Sequence, residues 1–183
     1  MSQYLTAARE RLLGAAPREL KNTRSLTIAA VLAALHLVLN LFTIPVSQFL
    51  EIGFDFLTVA ATGFLCGPWV AGLTGIVTDI VGYMLRPNGP FFPGWTLSAI
   101  LLGIVYGLFY YKKKVSLPRI ICCQAVVVVV FNFFLTPLWL HLLYGKAFVI
   151  LSSMRLVKNL VQFPVNVALT WFVLRTAEKL RKN

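Results

Sequence analysis

Arg155 and Lys158 stand three residues apart, and Asn159 and Gln162 continue the same polar stripe. On a helix that spacing puts both cations on one face, where they can meet a single anionic ligand. Arginine adds a planar fork that matches carboxylate or phosphate oxygens. Arg86 is a third cation at the edge of an apolar run, and it opens the connector Arg86-Pro-Asn-Gly-Pro-Phe-Phe-Pro-Gly94. A lone cation beside a membrane commonly snorkels to the headgroups. Several together point to an anion. Asp55 and Asp79 are the acids near or inside apolar segments, where a carboxylate is costly and normally paired. Either can accept hydrogen bonds from an amino-substituted heterocycle, and Phe92 and Trp95 offer flat faces for its ring. The candidate ligand-binding set is therefore Asp55, Asp79, Arg86, Phe92, Trp95, His141, Arg155, Lys158 and Asn159.

Other chemistries lack their residues. Gly145-Lys146 is followed by alanine, so no phosphate-binding GxxxxGK[ST] loop exists to hydrolyse ATP. No GxSxG and no pair of catalytic carboxylates is present. His36 and His141 lie in apolar runs without an HExxH partner set, and the three cysteines lack CxxC spacing. The expectation is a binder with no metal, no cofactor and no catalytic residues.

These groups are positioned by a membrane protein. Of 183 residues 58% are hydrophobic, 13% are charged and the mean hydropathy is +0.80, well above the roughly 45–50% apolar usage of soluble domains. Six apolar runs fall at about 25–45, 56–66, 69–85, 95–111, 120–144 and 150–174. Gly67-Pro68 breaks the second from the third. The expected fold is all-α: a six-transmembrane-helix bundle over 25–175. A basic segment precedes it over 1–24, in part an amphipathic surface helix or a frayed tail, and a basic tail follows over 176–183. Net charge is +11, read as anchoring to membrane lipid rather than as nucleic-acid binding. With both termini cytoplasmic, that side carries five basic residues before the first span, four between spans four and five, and four at the C-terminus. Arg86, Lys146, Arg155 and Lys158 are left outside.

Two features stay open between structure and function. The 86–94 connector, with three prolines, is either a simple turn or a rigid lip holding Arg86, Phe92 and Trp95 over a pocket. In the first span, Ala29/Ala33 and Ala30/Ala34 form two small-xxx-small pairs, which serve internal packing or a partner helix.

The order of motifs resembles a known family. Gly53-Phe54-Asp55-Phe56-Leu57 opens span two, the Gly-Pro hairpin follows, then GxxxDxxGYxL from Gly75 to Leu85. Phe91–Ala99 (FFPGWTLSA) with Ile104-Val105-Tyr106-Gly107 is the most specific piece. Residues 25–175 resemble the substrate-binding S components of energy-coupling factor (ECF) vitamin transporters, of the folate type. The resemblance implies a plasma-membrane subunit of a prokaryote that binds one vitamin from outside with high affinity. Its implied partners are a transmembrane coupling subunit and two ATPases. The first-span alanines (Ala29/Ala33 or Ala30/Ala34) would dock on the coupling subunit, and the loop near 46–54 would gate the site. Folate suits the candidate residues: Arg86, Arg155 and Lys158 for its anionic end or ring carbonyl, and Asp55, Phe92 and Trp95 for the pterin. Hydroxymethylpyrimidine-type S components share an FPG-like loop and stand as the alternative. An enzyme acting on an anionic lipid and a non-transport assembly subunit are the competing classes.

Overall fold

The computed structural model describes residues 19–47, 50–87, 91–145 and 148–182. The amphipathic stretch expected before residue 19 lies outside them, as do residues 88–90 of the connector and Lys146.

Asn22 starts the first helix, α1 (Thr23–Leu41), its side chain accepting from the Arg24 and Ser25 backbone amides at 3.2 and 3.5 Å. Such a cap contributes on the order of 1 kcal/mol. The helix stops short of the expected Pro45, because the residue before a proline avoids the helical region. The chain instead forms an antiparallel hairpin, β1 (Ile44–Ser47) against β2 (Leu50–Ile52), with Ile44 opposite Ile52. The bundle is helical as expected, and the stretch expected as a loop near 46–54 contributes a short two-stranded ribbon at one end of it.

α2 (Phe56–Cys66) has only 11 residues, about half the length needed to cross a ~30 Å hydrocarbon core. Gly67 ends it in a backbone conformation reserved for glycine, φ +97°, and Pro68 opens α3 (Pro68–Leu85). Pro93 likewise opens α4 (Pro93–Tyr110). α5 (Leu117–Val127) runs into a π-helical segment over Val128–Leu135 and on into α6 (Thr136–Tyr144). Pro137 accounts for the wide turn. Its ring would clash with a carbonyl four residues back and it has no amide to donate. The ladder shifts to the fifth residue back, and both the Thr136 amide and its hydroxyl bond Phe131 O. α7 (Phe148–Lys182) is 35 residues long with Pro164 inside it. It carries on past residue 175 without a break.

Among the described residues the helices thus form six rods. α1, α3, α4 and the Leu117–Leu143 rod are long and apolar enough to cross a membrane, and α2 is a shorter apolar helix. Val31, Met84, Phe134, Leu142 and Phe172 all project outward, each at least 60% exposed. A surface this apolar is matched by lipid, not water. Inside, glycines replace the hydrophobic effect as the means of close approach. A Cβ at Gly75 or Gly103 would lie 2.6 or 2.5 Å from a carbonyl oxygen of the facing helix, so α3 and α4 touch backbone to backbone. Phe64, Tyr106, Tyr110, Ile120, Phe131 and Leu174 fill the core between α2, α4, the α5–α6 rod and α7. Gln124 donates to Thr170 Oγ1 at 3.0 Å within it.

The end of the bundle where α1 begins is fastened by an acid. Glu19 is 6% exposed, and its Oε2 accepts from the Trp69 amide at 3.2 Å, at the N-terminus of α3. Orphan amides and the helix dipole favour a carboxylate there. Gly67 is what makes room, since a Cβ at that position would meet the Glu19 carboxylate at 2.5 Å.

Candidate ligand-binding site

The opposite end carries the hairpin and the connector, and most of the sequence candidates collect there. Phe92 precedes α4 in an extended conformation and lays its ring 5.5 Å from that of Trp139 on α6, at an interplanar angle of 59°. Gly94 is the reason that it can: a Cβ there would lie 2.2 Å from the Phe92 ring and 2.8 Å from Trp139. Trp139 Nε1 donates to Ser98 Oγ at 2.8 Å, and Ser98 donates to Gly94 O at 3.1 Å. On the other side of α4, Thr96 donates to Asp79 Oδ2 at 2.6 Å. The FFPGWTLSA motif is therefore a brace that ties α3, α4 and α6 together just under the connector. Trp95 sits half-buried in it, its amide bonded to Phe92 O. Tyr83 meets Phe91 edge-on at 5.2 Å.

The candidates do not all converge. Arg86 Nη1 donates to Asn40 O and Thr43 O, each at 3.4 Å, so this guanidinium ties the end of α3 to the carbonyl end of α1. Asp79 is engaged by Thr96. Asp55 begins α2 without capping it; a Cβ at Gly53 would lie 2.7 Å from its Oδ1 and 3.0 Å from Thr43 Oγ1, and that hydroxyl is itself buried without a partner among the described residues. His141 is exposed in the last turn of α6. The side chains of Arg155 and Lys158 lie outside what the structure describes, although their backbone belongs to α7. Counted outward from the Gln124–Thr170 contact, position 155 on α7 is level with Trp139 on α6 to within about a turn.

Asn159 is the exception on α7. It is 7% exposed, and its Nδ2 has no hydrogen-bond partner among the described residues. Leaving such a donor unmet costs about 1–3 kcal/mol, so it calls for an explanation.

Sequence reasoning passed over two contributors. His36, set aside as a lone histidine, meets Thr58 Oγ1 at 2.9 Å and lies in the field of Asp55 and Asp79. Trp139, absent from the candidate set, is the anchor of the brace. A polar side chain placed mid-span was the signal for both. The alanine pairs also part company. Ala29 is 4% exposed and packs with Cys66 and Val70, Ala33 is half-buried, and Ala30 and Ala34 face outward. Of the four alanines, Ala29 is the one already used in packing within the chain.

Comparison with known proteins adds to this geometry. The family described as "ECF transporter, substrate-specific component" matches residues 24–174. This chain belongs to that family. Among S components it is 34% identical to "Folate transporter FolT" of Clostridium novyi (strain NT) over 161 residues, 88% of this chain and 94% of the relative. It is 31% identical to the Leuconostoc mesenteroides protein of the same name over 159 residues, 84% of this chain and 85% of the other. A solved structure, "Crystal structure of FolT bound with folic acid", superposes with a TM-score of 0.78 at 38% identity. It covers 87% of this chain and 97% of the other.

Proposed function

We propose that this S component is the folate-binding subunit of an ECF-type vitamin importer. The single observation that carries the reading is the near full-length likeness to a FolT with folic acid bound, at 38% identity. The chemistry of the connector end agrees with it. Folate has a flat, hydrogen-bonding pterin and an anionic glutamate. The site region offers aromatic faces at Phe92 and Trp95, carboxylates at Asp55 and Asp79, and the unmet Asn159 donor. Arg155 and Lys158 on α7 supply charge for the glutamate. Arg86 serves the site at second hand, by holding α1 against α3 below the hairpin.

In this reading the six-rod bundle is embedded in the plasma membrane of a bacterium, α2 reaching through only part of the hydrocarbon core, with both termini cytoplasmic and the brace facing outward. The split of basic residues between the two sides supports that orientation. The hairpin over 44–52 closes the site. Ala30 and Ala34 present a flat strip on which the transmembrane coupling subunit docks, and two separate ATPase subunits supply the energy. The S component itself binds and delivers; it catalyses nothing.

Mass spectrometry of small molecules released from the purified, detergent-extracted protein tests the substrate. A folate or reduced folate is the expected occupant. A pyrimidine would keep the family and replace the vitamin.

A further inference from the structure

A cavity of about 10 Å³ lies where α1, α2 and α3 meet, bounded by His36, Thr58, Thr62, Thr74 and Thr78. Its polarity has a definite sign. Every threonine hydroxyl on its wall has its one proton committed to its own helix. Thr58 donates to Asp55 O at 2.5 Å, Thr62 to Thr58 O at 2.7 Å, Thr74 to Val70 O at 2.8 Å and Thr78 to Thr74 O at 3.0 Å. Thr58 can then meet His36 only as an acceptor, which assigns the proton to Nδ1. What the four hydroxyls have left to offer is lone pairs. The lining contains no carboxylate. A bare cation would find no carboxylate on the wall to pair with directly, and burying one unpaired is costly. The space matches a single water molecule, which needs two or more polar partners to stay.

We propose that this cavity holds one buried water, donating hydrogen bonds to threonine oxygens of α2 and α3 and standing between them and α1. The site is separate from the folate reading and does not depend on it. It also bears on how α1 is attached. Ala29 is the one buried residue among those described along α1, and Ile28, Leu32, His36 and Leu37 also meet α2 or α3 along its length. A water in the seam exchanges partners by turning.

The test is a map of the wild-type protein, in detergent or nanodiscs, at a resolution that shows ordered water. The expected result is one peak about 2.7–3.2 Å from at least two threonine oxygens, unchanged when choline replaces sodium in the buffer. Thr62→Val with Thr78→Val should lose the peak; if that pair does not fold, Thr74→Val alone should weaken it. An empty cavity in the wild-type map overturns the proposal, as does a peak that disappears with sodium, which would make the occupant a cation.

Discussion

Asn159 and Glu19 are both buried polar residues, and their surroundings assign them opposite jobs. Asn159 carries a donor unmet among the described residues, so replacing it with leucine should leave the melting temperature of the empty protein unchanged or raised. The same change should weaken folate binding by about tenfold, the worth of one hydrogen bond to a charged group, as read by titration. A matching drop in stability and affinity would make it a core residue instead. Glu19 has its partner, the Trp69 amide. Burial pushes its carboxyl above the ordinary 4.5, against smaller downward pulls from that amide and from Lys112. The native state thus holds the proton more tightly than the unfolded chain. The stabilisation from this group is full below pH 4.5 and is lost as pH rises through the elevated value. Melting temperature should fall across that window in the wild type and lose this slope in Glu19→Gln. At this scale the sequence was partly legible. Residue types put Asp55, Asp79, Arg86 and the α7 stripe on one list of candidates, and the structure adds that the Arg86 guanidinium donates to carbonyls at the end of α1. Only three-dimensional proximity could tell a cation that meets a ligand from one that meets a helix end.

The elements themselves were easier to read. Prolines and glycines placed the breaks at Gly67-Pro68 and before Pro93, because each removes a donor or admits a conformation that continuous helix does not. The hairpin over 44–52 was not visible. Four and three residues give too short an alternation to separate a strand from a loop. The π segment was also hidden, since it arises from one proline acting on the preceding turns. Periodicity gave two equal alanine pairs, and burial separates Ala29, packed inward, from Ala30 and Ala34, which face outward. Ala34→Trp should block folate uptake by cells carrying the whole importer and leave binding to the purified subunit unchanged. Ala29→Trp should instead lower the melting temperature, because overpacking a closed contact costs about 1–3 kcal/mol. Equal behaviour of the two variants would mean that α1 has no distinct docking face. In the brace, Gly94→Val should displace Phe92 from Trp139 and reduce folate affinity, with the loss of Trp139 fluorescence environment as an independent readout.

At the scale of the molecule, a rigid α3–α4 pair joined through glycine backbones faces a half built on the proline-bearing α5–α6 rod and α7. The candidate site lies where the two halves meet under the connector. That arrangement suits a protein that must close around a ligand while presenting α1 to a partner. The class of the protein was readable from composition and from the FFPGWTLSA motif. The division of labour between its faces was not, since it depends on which side of each helix is already covered. Isothermal titration of folic acid into the purified wild-type protein is the most direct test of the central claim. Saturable one-to-one binding, with affinity well below the micromolar range, is the result expected. No binding at micromolar folate, with a hydroxymethylpyrimidine binding instead, would contradict it.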